Sequence, residues 1–468
     1  MNKLTAFLLC AVLCISITAC ATGTHEDVID DEPVTEQDTG DISESEETGE
    51  TDGNGETDWV ITKDDIEIKE ELQSDEDGEH VITADGETLS YSNVSVDKTG
   101  DSSGDEADFY GENAAVFATN GACLELSDMV IATDGTHANA VFSYGEGTTV
   151  TIKDSVIETS GNCSGGLMTT GGGTMIADDL NIHTTGNSSA AIRSDRGGGT
   201  VTVTGGSYVT EGTGSPAIYS TAEITVSNAY LESKASQGVV VEGKNSVTLN
   251  DVELVADNNK KNSDKSSFYQ AVMIYQSMSG DAAEGLSSFT MNGGKLINKN
   301  GDIFFVNNTA TEIELSAATI VNEDADGVFL RAAAAGWGKD GSNGGKVTLT
   351  AYEQEINGDI LVDDISSLNL YLQNGSVFCG SVNPDGEEGE VYIEIDSSSE
   401  WILTSDAYIT ALTCEEGSVD LNGFTLYING VAYDGGDSEG DAIDMTVSSG
   451  STHGSSSHSS GHGGSKGS

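Results

Sequence analysis

"TVTIKDSVIETSGN" (residues 149–162) alternates apolar and polar side chains, pauses at Asp154, alternates again and closes on Thr-x-Gly. The outline returns as "TMIADDLNIHTTGN" (174–187), "TVTVTGGSYVTEGT" (200–213), "EITVSNAYLESKAS" (223–236) and "SVTLNDVELVADNN" (246–259). Divergent copies stand at 88–101, 123–135, 288–301 and 312–325, and the period is 23–26 residues wherever no loop intervenes. A repeat this short decides the architecture before any single residue does.

Alternation with a period of two marks strands. One face of the first strand is apolar in copy after copy: Val150/Ile152, Val201/Val203, Ile224/Val226, Val247/Leu249, Ile313/Leu315. The position after it is Asn93, Asp128, Asp154, Asp179, Gly205, Asn228, Asp251 or Gly293. These residue types tolerate the left-handed backbone region, so a sharp bend is expected there. A second strand follows, then Thr-x-Gly, then a third strand opening small-then-aliphatic (Ala140-Val141, Gly166-Leu167, Ala191-Ile192, Ala217-Ile218). Three strands and three turns per period predict one coil of an all-β, right-handed parallel β-helix. A propeller blade needs about 40 residues, which the period does not supply. No coil buries its own apolar face; stacking coils about 4.8 Å apart does. The small residues of the Thr-x-Gly phrase let turns stack closely, and its Thr and Asn side chains are placed to form ladders along the axis.

From about Asp85 to Ala432 the repeat resembles the pectin-lyase-like superfamily. Within it, the chain looks most like adhesin-like surface β-helices and autotransporter passenger domains, through coils of the form T-x-G … S-x-A-I … V-T-V-x-N/G. The resemblance implies the fold. It leaves function open among polysaccharide lyases, polygalacturonases, carbohydrate-binding modules and adhesins.

The flanks read differently. "MNKLTAFLLCAVLCISITAC" opens with Lys3 and a short apolar run, the pattern of a targeting segment. Its end, "ITAC", resembles a bacterial lipobox, which implies a signal peptide over 1–19 and lipidation of Cys20; an ordinary secretory cleavage near Ala21 is the plainer alternative. Residues 20–58 are acidic and hold no Lys or Arg, so they are expected to be a disordered stalk. An N-terminal cap (59–84), the β-helix (85–434) and a disordered Gly/Ser/His tail (435–468) complete the expected layout. In the tail, His453, His458 and His462 read as a solvated run. Cys123, Cys163, Cys379 and Cys414 are widely spaced and read as free thiols, with at most one bridge.

The net charge of -61 argues against nucleic acid, whose phosphates need Lys and Arg, and against adsorption to an anionic membrane surface. Membrane association is therefore expected through a lipid anchor alone, on the extracellular face of a bacterial membrane. The superfamily's enzymes use clustered carboxylates, or a base with calcium. Asp178-Asp179 offers two carboxyls but aligns with the turn pairs Lys153-Asp154 and Asn250-Asp251, so no catalytic residue is assigned. Arg193 and Arg196 flank Asp195, which reads as an ion-pair partner. No cofactor is implied and no metal ligand is assigned. Calcium has two weak openings: "NEDADG" (322–327), which lacks the acid expected at its twelfth position, and Asp101/Asp105/Asp108.

The third strand carries the sharper expectation. With Val116, Val141, Leu167, Ile192, Ile218 and Val240 inward, their neighbours Phe117, Phe142, Met168, Arg193, Tyr219 and Val241 face outward, with Phe305 and Leu330 further on. Such a stripe is either an open platform or a floor covered by the 58–72 segment or a loop. Insertions at 257–268, 276–285 and 332–345 gather near this face and carry Lys260, Lys261, Lys265, Phe268, Tyr269, Trp337 and Lys339. The expected binding set is Phe117, Phe142, Tyr219, Phe305 and Trp337. Its expected ligand is a glycan or a protein on a host or neighbouring cell, bound without catalysis. A polysaccharide lyase or glycoside hydrolase is the alternative.

Overall fold

Each bend position named above has a positive φ in the computed structural model, from 48° at Asp179 to 67° at Gly205. The model describes residues 60–386 and 389–445. The expected signal peptide, Cys20, the expected acidic linker, Trp59 and the tail histidines lie outside the described residues.

Bent at those points, the chain winds a right-handed parallel β-helix, the hand that parallel crossovers take. First and second strands merge into a 21-stranded sheet, and third strands build an 11-stranded sheet. Merging occurs because Thr149–Thr159 and Gly173–Thr184 run unbroken through the corner. Every pairing along the two walls is parallel and in register with the repeat: Val150 meets Met175, and Ile152 meets Ala177. The inward residues form one continuous core, including Val150, Ile152, Leu180, Ile192 and Ile218, all fully buried.

The Thr-x-Gly phrase stacks as expected, with a twist in which side chain makes the ladder. Ser164 N donates to Ser189 Oγ (3.0 Å), and Ser189 N donates to Ser215 Oγ (2.9 Å). Each serine hydroxyl also donates back one coil, Ser189 Oγ to Gly161 O (3.0 Å) and Ser215 Oγ to Gly186 O (2.8 Å). Asn187 N donates to Asn162 Oδ1, and Thr213 N to Asn187 Oδ1 (both 2.9 Å). The threonines turn inward instead, Thr159 and Thr184 bonding within their own coil to Ser164 O and Ser189 O. At Gly161, Gly186 and Gly212 a Cβ would overlap the carbonyl oxygen of the glycine one coil earlier. Close approach, not backbone freedom, requires glycine there.

Two boundaries shift. Coiling begins before residue 85: Glu70–Ser74 pairs with Val94–Lys98, and Ile82–Asp85 with Val116–Thr119. The cap proper is the 60–69 segment, whose Ile61, Ile66 and Ile68 pack on Val130 and Val156 outside the second strands. At the other end, residues 435–445 are packed and not part of a loose tail. Ser438 bridges Cys414 through paired backbone bonds (3.0 Å each), and Asn369 exchanges two bonds with Ile443 (2.9 Å each). A hairpin at Asn429-Gly430 turns the last edge antiparallel, Tyr427 opposite Ala432. Cys123, Cys163 and Cys414 are free thiols.

Candidate functional site

Third-strand alternation places Phe117, Phe142, Met168, Arg193 and Tyr219 side by side on the outer surface, in register. Two positions need correction. Tyr219 pairs with Val240, so Val240 faces out while Val239 and Val241 face the core. Phe305 pairs with Arg331, so Arg331 faces out and Leu330 in. In both coils the small-then-aliphatic signature is degenerate (Gly238-Val239-Val240-Val241; Val328-Phe329-Leu330), and counting from the wrong aliphatic reverses the face.

The outer stripe is covered. Phe142 and Met168 are fully buried, Phe305 is 1 % exposed, and Phe117, Tyr219 and Trp337 are half-buried. The cover is made of inserted loops, while the 60–69 segment lies on a different face. At the N-terminal end the short helix Asp105–Phe109 and its flanks sit over Phe117, Phe142 and Tyr144, and His80 stacks on Phe117 at 4.5 Å. Arg196 pins this cover and the 276–285 loop together. Its Nε donates to Asp281 Oδ1 (2.7 Å), its Nη1 to Asp105 Oδ2 (3.0 Å), and its guanidinium lies 3.6 Å from the Phe109 ring centre. Arg193 donates to Asp195 (2.8 Å). Arg196 therefore holds the loops in place, and Arg193 is paired within its own coil.

Toward the C-terminal end the insertions at 257–269 and 333–345 meet. Gly336 N donates to Lys265 O (3.3 Å), Phe268 packs on Phe305 (5.2 Å between centres), and Trp337 packs edge-on to Tyr275 (5.1 Å). Arg331, bonded to Asp302 at 2.6 Å, lies 4.3 Å from the Phe268 ring centre. The same two loops carry Lys260, Lys261, Lys265 and Lys339, all exposed and, among the described residues, without an ion pair. Lys261 Nζ lies 5.5 Å from the Tyr269 ring centre. Four exposed lysines on two touching loops are a local concentration of positive charge on a chain of net charge -61, with Asp264 and Asp340 beside them in sequence.

Beneath it Tyr219 and Tyr275 both donate to Glu242 Oε2, the latter at 3.0 Å. Glu242 is 1 % exposed, and burial first, with the Glu242 charge adding to it, holds both phenols protonated. The alternating pattern gives Glu242 no distinction from any other outward position; only the neighbour Tyr275 one coil on shows that it is partnered.

The other candidate groups disperse. Asp179 is a bend residue in a column with Asp154, and burial, then Asp178 and Asp154, raise its carboxyl. Within "NEDADG" Asp324 accepts from Gly301 N (2.7 Å) and Asp326 N (3.0 Å), so its oxygens serve the turn. Asp101 accepts from Thr136 N, Asp105 from Arg196, and Asp108 approaches His137; the three carboxylates face three different partners.

Comparison with known proteins gives partial likenesses. The chain is 26% identical over 148 residues to "Autotransporter CRAC" of Citrobacter rodentium, covering 30% of this chain and 9% of that protein. It is 27% identical over 148 residues to "Autotransporter adhesin/invasin TibA" of Escherichia coli, covering 30% of this chain and 14% of that protein. The chain thus spans a small part of the curated relatives it matches. No family model and no solved structure matches. Together with the solenoid itself, these likenesses fit the β-helix of an autotransporter passenger.

Proposed function

We propose that this protein is an extracellular bacterial surface adhesin that binds a glycan without catalysis, through the loop layer on the 11-stranded sheet of third strands. One observation carries the reading: two insertions far apart in sequence meet at Lys265 and Gly336, and together they carry Lys260, Lys261, Lys265 and Lys339 with Phe268, Tyr269 and Trp337, Lys261 lying 5.5 Å from the Tyr269 ring centre. Rings of this kind stack on sugar faces, and ammonium groups donate to hydroxyl or acidic substituents. The names of the two relatives support a surface role, and the dispersal of carboxylates favours binding over hydrolysis. In the same reading Cys20 carries the lipid that holds the chain to the membrane.

The binding site belongs on the loops and not on the strand aromatics, which act as their anchors. A glycan array with the purified chain, repeated with Lys260→Ala/Lys261→Ala and with Trp337→Ala, tests this. Bound glycans are expected to lose roughly tenfold in affinity when two charge-assisted contacts go, with the melting temperature unchanged in the lysine variant. Full retention of binding in both variants, or release of reducing sugar from bound glycans, would overturn it. A Cys20→Ala chain that stays in the membrane fraction would remove the anchor from the reading.

A further inference from the structure

One side-chain cluster at the N-terminal end of the third face remains unused by this reading. His137 and Cys163 occupy the same turn position on successive coils, both with positive φ (58° and 56°). Later coils put Ser188 and Gly214 there. Only the two coils beneath the inserted helix Asp105–Phe109 therefore offer an imidazole and a thiol, and that helix brings Asp108 down onto them. The His137 ring nitrogen, the Cys163 sulfur and an Asp108 carboxylate oxygen all lie within 4.8 Å of one another.

His137 Nδ1 is the telling atom. It is fully buried, and Asp108 Oδ1 stands 2.8 Å away, yet the carboxylate lies off the direction in which the ring nitrogen points, and no hydrogen bond forms. A buried imidazole nitrogen that faces a carboxylate and a thiol without a well-aligned hydrogen bond is a set of converging donors of the kind a metal site presents. An ion between the three groups satisfies all of them. We propose that Asp108, His137 and Cys163 form a binding site for a zinc-class divalent metal ion.

The donor set fits that class. Carboxylate oxygen, imidazole nitrogen and thiolate sulfur are the three ligand types of zinc, and three protein ligands leave the fourth tetrahedral position to water or a further donor. Calcium takes oxygen ligands and would not select a thiol. Binding displaces the thiol proton to solvent and changes no oxidation state. The two ligands on the wall are held rigidly: His137 N donates to Asn162 O (2.9 Å) and Cys163 N to Asn187 O (2.8 Å), bonds of the turn ladder itself. Asp108 comes from the inserted helix, so the ion adds a second tie between that helix and the solenoid wall, beside the one Arg196 makes. The site is separate from the lysine cluster, and either can fail without the other.

Cobalt(II) titration of the reduced, metal-free chain tests the site, because thiolate ligation produces a near-ultraviolet charge-transfer band that tail histidines and carboxylates do not. One equivalent is expected to produce the band, and zinc to abolish it by displacement. Cys163→Ser should lose the band, whereas Cys123→Ser should keep it. His137→Gln and Asp108→Asn should each weaken binding by roughly tenfold or more. Asp108 is on an exposed insertion, so its variant keeps the test valid if a wall variant fails to fold. Absence of the band in the unaltered chain, its survival in Cys163→Ser, or unchanged affinity in Asp108→Asn would overturn the proposal.

Discussion

The second and third strands of each coil present outer faces built by the same alternation, and the two faces meet opposite fates. Outside the second strands stand Glu158, His183, Lys234 and Val321, which reach solvent, and Lys63–Glu158, His183–Glu211 and Lys234–Glu211 pairs run across the surface. Outside the third strands stand Phe117, Phe142, Met168, Tyr219, Met273 and Phe305, which insertions cover. Alternation tells which way a side chain points from the wall. What lies beyond the wall is set by the insertions, and these flank the third strand, before it at 101–115 and 257–269 and after it at 276–285 and 333–345. The 11-stranded sheet of third strands therefore has two cores: an aliphatic one inside, and a thinner aromatic one outside, clamped by Arg196 and Arg331.

Substitution on the two faces breaks this comparison most directly. Phe142→Ala should cost about 3–5 kcal/mol, as a fully buried ring in any core does. Ile192→Ser, inside the same sheet, should cost about 2–4 kcal/mol through lost burial and an unpaired hydroxyl. Val321→Ala, outward on the second face and 38 % exposed, should stay within about 0.5 kcal/mol. Chemical denaturation of the three variants measures this directly. If Phe142→Ala behaves like Val321→Ala, the loops do not cover the third face in solution.

The coil was legible because its signal repeats. Each of the eight bend positions, from Asn93 to Gly293, is marked by residue type alone and has the backbone that type predicts. The outer stripe was legible as a direction: Phe117, Phe142, Tyr219 and Phe305 do face away from the core. Its burial was not, because the covering residues (Ala107, Phe109, Phe268, Ala282, Trp337) occur once each in loops without a period. The Asp108–His137–Cys163 cluster was hidden for a related reason. His137 and Cys163 are one repeat apart, but serine and glycine fill the column elsewhere, and Asp108 arrives from a helix outside the repeat. Where a coil's own signature blurs, as at Val239-Val240-Val241, even direction is lost.

A smaller effect sharpens the account of the turn column. Gly→Ala at a position of ordinary backbone angles normally stabilises a protein by restricting its unfolded chain, by about 0.4–1 kcal/mol. Gly186 has such angles, yet a Cβ there would overlap Gly161 O of the preceding coil. The overlap is with backbone, which cannot rotate away, so Gly186→Ala should be destabilising by about 1–3 kcal/mol. The sign of the change in melting temperature decides it. A stabilised variant would mean that the coils are spaced more widely than the serine ladder requires.

The smallest effect concerns the N-terminal cover and pH. His80 stacks on Phe117, and its neutral ring donates from Nδ1 to Ala114 O (2.8 Å). Burial lowers its pKa, outweighing the opposing pull of Ala114 O, Glu79 and Glu112, and Lys98 lowers it further. Below the ordinary histidine value of about 6.5 the unfolded chain binds a proton that the folded chain resists. Stability contributed by His80 is therefore complete above that value and is lost as pH falls toward the lowered folded value. Melting temperatures measured from pH 8 to pH 5 should decline more steeply for the unaltered chain than for His80→Gln, whose side chain does not titrate. Other titrating groups are common to both chains and cancel in the difference. Equal slopes would mean that His80 ionises freely in the folded state, and then the cover over Phe117 is not the closed layer described for Phe142.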